Sequence, residues 1–350
     1  NFTGKHSMQR HRASPLHVPP PPLRLSGWAF LGLAAFLAAV TTGLYQGGTW
    51  LNRQLNPPLE DLKKQVESPI NDQEWQSMVT GLEAAAAAWR GNSGIYFRDL
   101  NTGREWDYNA DRLFPSASLI KVPIMAAVME KVRLGAITLN TQIKLTRAGR
   151  VGGSGSLKWV RDGTSLSVME IIYKMITESD NTATRMLIDY VGMNYLQTEF
   201  RNLGLVHTNI CPEGMSLVSG RIEKDNYTTA REMAGMLERI YAGELIDRES
   251  SEFMLDVLKH NKSRTRLRKG LPMGWEIGHK TGLLRKCCHD AGIVFSPRGD
   301  YVIVVMTSEV PDYTSAKNFI ARVASLTYKY YKIDEDFAQG TGGGNQVRTL

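Results

Sequence analysis

The chain has 350 residues but only three cysteines, Cys211, Cys287 and Cys288. That is too few for a disulfide framework, and neighbouring cysteines bridge each other only under strain. One bridge from Cys211 to Cys287 or Cys288 and three free thiols are the two arrangements left open. None of the seven histidines stands in an HxxxH-type spacing, which argues against a metal centre, and no cofactor is implied. Strong charge of one sign is also missing from the main body. The net charge is +7, yet Lys5, Arg10, Arg12 and Arg24 fall in the first 25 residues, which hold no acid. The small excess left for the remaining chain is a poor footprint for nucleic-acid binding. No internal repeat is present.

Charge is absent altogether from Leu25 to Gln46, and Trp28–Val40 is strongly apolar. About 20 such residues span a bilayer as a helix. Arginines precede the segment and no basic residue follows until Arg53. The positive-inside rule then places the N-terminus in the cytoplasm and the remaining chain outside. The expected layout is a cytoplasmic stub over 1–24, a transmembrane anchor over 25–46, a linker over 47–71, a folded domain over 72–335 and a disordered tail over 336–350. A signal peptide cleaved near Ala38-Ala39 and a buried soluble helix are the rivals to the anchor. Residues 1–7, ahead of Met8, are set aside as a tag remnant or an over-extended reading frame.

Within 72–335 the periodicity is mixed. A helix is expected over 73–89. Strands are expected over 94–100 and 105–108, around an Asn101-Thr102-Gly103 turn. Helices follow over 119–132, 167–178, 182–191, 194–203, 228–242 and 248–260, with Met169, Ile172, Met175 and Ile176 as one apolar stripe. Strands return over 275–280, 292–295 and 301–307, and a last helix covers 314–331. The pattern reads as α+β: an antiparallel sheet built from distant segments and flanked by helices, with an inserted all-helical lobe. A crevice between two such lobes is a natural place for a site.

Three short motifs carry chemistry. Ser118-Leu119-Ile120-Lys121 puts a lysine one helical turn after a serine, if a helix starts near Ser118. A serine is a weak nucleophile until a base takes its proton, and a lysine held neutral by burial can be that base. Taken singly, Ser118 also reads as a helix cap. Ser179-Asp180-Asn181 ends the 167–178 helix. Its hydroxyl can relay a proton, its carboxylate can fix the loop, and Asn181 can hold a substrate amide; a capped turn is the plain alternative. Lys280-Thr281-Gly282 ends a strand, where a cation and a hydroxyl can receive a carboxylate and a glycine admits substrate close to the backbone.

In this order, and at helix start, interhelical loop and strand end, the trio resembles that of class A β-lactamases and penicillin-binding proteins. The likeness extends to Phe114-Pro-Ser-Ala-Ser-Leu-Ile-Lys-Val-Pro123, Asp162-Gly-Thr-Ser-Leu-Ser-Val168, Ser179-Asp-Asn-Thr-Ala183 and Gly274-Trp-Glu-Ile-Gly-His-Lys-Thr-Gly282, over about 72–333. The resemblance implies a β-lactamase/transpeptidase-like fold. It implies acylation of Ser118, with Lys121 as general base or as the group that tunes one. Ser179 then protonates the leaving nitrogen, Lys280 and Thr281 bind the substrate carboxylate, and the backbone N–H groups of Ser118 and Leu283 form an oxyanion hole. Some members carry an arginine fourteen residues before the motif lysine, here Arg266. Its cluster reads equally as a pocket group and as a solvated basic face.

One part of the family pattern is missing. A Glu-x-x-Leu-Asn motif, whose glutamate activates the deacylating water, has no counterpart. Cys211-Pro-Glu-Gly-Met-Ser-Leu217 offers Glu213, a residue or two short of the family spacing from Ser179. Glu213 is either that base in a rebuilt loop or a solvent-facing acid. The expected activity is β-lactam hydrolysis through a Ser118 acyl-enzyme by a membrane-anchored monomer. The rivals are a D-Ala-D-Ala peptidase or related cell-wall peptide hydrolase, and a β-lactam or muropeptide sensor that acylates and stops. The short cytoplasmic stub speaks against the sensor.

Overall fold

The computed structural model describes residues 70–212 and 225–333. The expected stub, anchor, most of the linker, the tail and Glu213 lie outside the described residues. Among the described residues no helix is long and apolar enough to cross a membrane.

The first helix, α1 (Asp72–Ala87), starts where Asn71 caps Glu74 N and Glu74 reaches back to Asn71 N, so two otherwise orphaned donors are satisfied. It leads into β1 (Asn92–Asp99) and β2 (Glu105–Tyr108), which pair antiparallel. The chain then leaves the sheet for the helical lobe, made of α2 (Lys121–Arg133), α3 (Val168–Thr177), α4 (Asn181–Val191) and α5 (Met193–Asn202). After the undescribed gap come α6 (Ala230–Ala242), α7 (Arg248–Lys259) and the short α8 (Leu267–Gly270). The chain returns as β7 (Glu276–Leu284), β8 (Cys287–Phe295) and β9 (Tyr301–Ser308), and closes with α9 (Tyr313–Tyr331). Two small ladders, β3 (Phe114–Pro115) with β6 (Tyr227–Thr228) and β4 (Gln142–Lys144) with β5 (Ser165–Ser167), were not expected.

The sheet order is β2-β1-β9-β8-β7, every pair antiparallel. β1 lies against β9, Asn92 opposite Ser308 and Asp99 opposite Tyr301. The sheet is thus assembled from both ends of the domain, as expected. Side chains alternate across it. Tyr301, Ile303 and Val305 point to the layer of α1 and α9, where they meet Trp75, Met78, Leu82, Phe319 and Ile320. Val302, Val304 and Met306 point to the other core, shared with the helical lobe.

Two expectations need correction. Met169 is exposed; Ile171 takes its place on the buried stripe of α3 with Val168, Ile172, Met175 and Ile176. The capping box of Ser167 and Glu170 fixes where α3 starts and so which face turns inward. β8 also begins five residues earlier than its apolar run. Cys287, Cys288, His289 and Asp290 are all buried in it, because a central strand covered on both faces can hold polar groups that find partners there.

Candidate active site

Ser118 does not open an α-helix. It sits in a 3-10 turn, Ala117–Ile120, and α2 begins at Lys121. Pro123 falls in the first turn of α2, where no intrahelical N–H is lost. The turn is entered through Ala117 at φ +47°, a left-handed conformation costing about 1 kcal/mol for a residue with a Cβ. Tertiary bonds hold it there. Ser116 N donates to Asn226 O at 2.6 Å, and His289 Nε2 donates to Pro115 O at 2.7 Å. Thr307 N donates to His289 Nδ1 at 3.1 Å, so one neutral tautomer satisfies both ring nitrogens. Burial pushes the pKa of His289 down to about 4, which keeps it in that state. From the other side β7 presses in: a Cβ on Gly282 would stand 3.2 Å from Ala117 Cβ and 3.1 Å from His289 Cδ2.

Lys121 is 2% exposed. Its Nζ donates to Ser179 O at 2.7 Å, Asn181 Oδ1 at 2.9 Å and Ser179 Oγ at 3.1 Å. Lys280 is fully buried, and its Nζ donates to Thr281 O at 2.8 Å and to the same Ser179 Oγ at 3.0 Å. Two lysines therefore share one hydroxyl. Removal from water disfavours the ammonium form of each. Burial lowers the pKa of Lys121 to about 7, opposed by the nearby carboxylate of Asp180. Lys280 is pushed well below the ordinary lysine value by burial, then by the charges of Lys121 and Arg266, with Asp290 opposing.

Ser179 is itself left-handed, at φ +53°. Asp180 locks that turn. Its Oδ1 accepts from Ala183 N at 2.9 Å as the cap of α4, and its Oδ2 accepts from Leu157 N at 2.7 Å. The facing loop comes so near that a Cβ on Gly155, at φ +101°, would lie 2.1 Å from Asp180 Cγ. Asn181 Nδ2 donates to Gly152 O at 3.0 Å, tying the amide to the same loop.

These groups border a pocket of about 780 Å³. Ser118, Lys121, Asn181 and Leu283 line it; Ser179, Lys280 and Thr281 stand behind them in the bonded network. Arg266 lies neither on a solvated face nor among the lining residues. It is 5% exposed, at φ +59°, with Nε donating to Cys288 Sγ at 3.1 Å and Nη1 to Thr265 Oγ1 at 3.3 Å. Its connection to the site is the field it exerts on Lys280. All three thiols are free. Among the described residues no cluster of His, Cys, Asp and Glu could hold a metal ion.

Sequence reasoning missed the Gly152–Ser154 rim, Arg150, Arg185, and Asp225, whose carboxyl burial raises in pKa. The glycines of 152–155 were the available signal for the rim loop; a lone arginine or aspartate carries none. It also missed His289, which lies ahead of the expected 292–295 strand and belongs to no motif.

The chain matches the model of the β-lactamase enzyme family over residues 78–331. It is 30% identical to a β-lactamase of Streptomyces albus G over 243 residues, 66% of this chain and 76% of that one. The structure is similar to a β-lactamase from Sphaerobacter thermophilus, with TM-score 0.67 and 29% identity, covering 72% of this chain and 96% of that chain. It is also similar to PBP-A, a mutant of which is solved as an acyl-enzyme complex with penicillin-G; the TM-score is 0.66 at 28% identity, over 75% of this chain and 98% of that chain. The chain belongs to the β-lactamase enzyme family.

Proposed function

We propose that this protein is a class A-like serine β-lactamase that opens the β-lactam amide through an acyl-enzyme at Ser118. The observation that carries the reading is the pair of buried lysines meeting on Ser179 Oγ beside Ser118. A neutral lysine has two N–H groups and one lone pair. Lys121 needs the two N–H groups for Ser179 O and Asn181 Oδ1, neither of which can donate to it in this arrangement. In that neutral state the third contact, at 3.1 Å to Ser179 Oγ, is one in which the lysine lone pair accepts, so Lys121 can take and return a hydroxyl proton at the site.

Ser118 Oγ attacks the lactam carbonyl carbon and its proton passes to Lys121. The oxyanion sits between the N–H groups of Ser118 and Leu283. The C–N bond breaks, and the nitrogen takes its proton from Ser179, which is re-supplied from the lysine side. Lys280 and Thr281 receive the substrate carboxylate, whose arrival gives Lys280 the counter-charge it lacks. Arg266 acts through the field it exerts on Lys280 rather than by contact. Gly282 admits β7 close to the nucleophile. Water, with Glu213 as its base, then attacks the ester carbonyl and frees Ser118.

The missing Glu-x-x-Leu-Asn motif and the likeness to PBP-A support a second reading. In it acylation proceeds and release is slow, as in a cell-wall peptidase inhibited by penicillin or in a sensor. A time course with a chromogenic cephalosporin, followed by intact-mass analysis, separates the two. Sustained turnover with little adduct is expected. A single stoichiometric burst with a lasting adduct would move the function to the second reading.

We also propose that 25–46 anchors a monomer in the bacterial cytoplasmic membrane, with 72–335 on the outer side. Resistance to alkaline extraction and digestion by protease added from outside are the expected signatures. Release into the soluble fraction would overturn the anchor.

A further inference from the structure

The pocket continues past Asn181 along one face of α4, where Thr184, Arg185 and Ile188 line it. Arg185 lies one turn beyond Asn181, about 6 Å further along the axis. Its Nε donates to both carboxylate oxygens of Asp189, at 2.7 and 2.8 Å. That bond, between two half-exposed side chains, orients the guanidinium and leaves its Nη1 and Nη2 without a partner among the described residues. A guanidinium held in this way offers a preset pair of donors to a planar acid. The other arginine on the wall cannot do the same. Arg150 spends Nε on Asp162, Nη1 on Lys158 O and Nη2 on Val160 O and Asp162. One acid, Asp225, shares the pocket, and burial raises the pKa of its carboxyl.

We propose that Arg185 forms an anion subsite for the acyl half of the substrate, selecting acyl chains that end in a carboxylate several bonds beyond the scissile carbonyl. This rests on the proposed acyl-enzyme reading of the site, and further takes Asn181, which can hold a substrate amide, as the neighbour of the acyl half. The 6 Å step along α4 sets the reach. An acid attached directly beside the acyl carbonyl falls short of Arg185, while one three methylenes further meets it. The subsite is distinct from the Lys280 and Thr281 position, which takes the carboxylate on the leaving side.

The test uses penicillins that differ in one group: the 6-glutaryl compound, with a terminal carboxylate, and its terminal carboxamide of the same size. The readout is the second-order rate constant for acylation of Ser118 in the full chain. In the native protein the acid is expected to react about tenfold faster than the amide, the worth of a charge-assisted bond. Arg185→Gln removes that preference and leaves the amide within about twofold; Arg185→Lys keeps part of it. Equal loss for both compounds would make Arg185 a structural residue and overturn the subsite, as would an unchanged preference for the acid. Placing the same two caps on a D-alanyl-D-alanine peptide separates an antibiotic source from a cell-wall source of the acid. Absence of any Ser118 adduct in the native protein would instead overturn the acyl-enzyme reading, and the subsite with it.

Discussion

The two faces of the sheet are built on opposite principles. Behind it, α1 and α9 close on an aromatic core in which Phe97 packs against Trp75, Tyr301 and Tyr331. A carboxylate buried there, Asp99, accepts from Tyr331 Oη at 2.7 Å and from the N–H groups of Asn101 and Thr102 at 2.8 Å each. In front, where sheet meets helical lobe, two lysines are buried together and Ala117 and Ser179 are left-handed. Each such feature costs free energy of order 1–3 kcal/mol. The back layer supplies the stability that lets the front layer hold a strained, charged arrangement. Behind the sheet the buried Arg268 donates to Trp275 O and Pro272 O, whereas in front two lysines converge on one hydroxyl where bonds are to be made.

The sharpest way to break this comparison is at Ser118. Ser118→Ala should abolish covalent labelling by a fluorescent penicillin while leaving the melting temperature within a degree or two, because the hydroxyl is not part of the packed core. Persistent labelling would put the nucleophile elsewhere. At the back, Phe97→Ala should cost about 3–5 kcal/mol in denaturant unfolding, yet leave the acylation rate of the folded fraction unchanged. A fall in that rate as large as the fall in stability would mean the two layers are not independent. Between the two lies Gly155. Gly155→Ala drives a methyl into Asp180 and should cost about 2 kcal/mol, and it should also slow acylation by moving Ser179. A loss of stability with no kinetic effect would separate the loop from the site.

Much of the fold was legible because helix caps and strand alternation agree with the tertiary structure. The boundaries of α3, α4 and α7 follow from Ser167, Asp180 and Asp247 as caps. Ser118 and Ser179 were legible because each falls beside the start of a helix, where geometry is local; Lys280-Thr281-Gly282, expected at a strand end, lies inside β7, which runs on to Leu284 because its pairing with β8 continues to Cys287. What could not be read depends on distant partners. The left-handed Ala117 is imposed by β7 and His289, more than 160 residues away. The burial of Arg266 depends on Cys288 in β8, 22 residues on, so its basic neighbourhood in sequence read equally as a surface. The pocket face of Arg185 appears only once α4 is set against the Gly152–Ser154 rim.

The central claim is that Ser118 is activated by a lysine that burial keeps neutral. Lys121 sits near pKa 7 in the folded chain against 10.5 ordinarily. Below about pH 7 it is protonated in folded and unfolded chains alike, and the full penalty of its burial stands. From there up to the ordinary value the unfolded chain binds a proton that the folded chain does not, so this group makes stability rise with pH. Lys121→Met should remove that rise. The same titration should govern chemistry, and the direct measurement is the rate of Ser118 acylation by benzylpenicillin between pH 5 and 9, followed by intact mass. The account predicts a rate that climbs with pH and levels off above about 7, and that falls by about a thousandfold in Lys121→Met. A pH-independent rate, or one that survives the loss of Lys121, would contradict it.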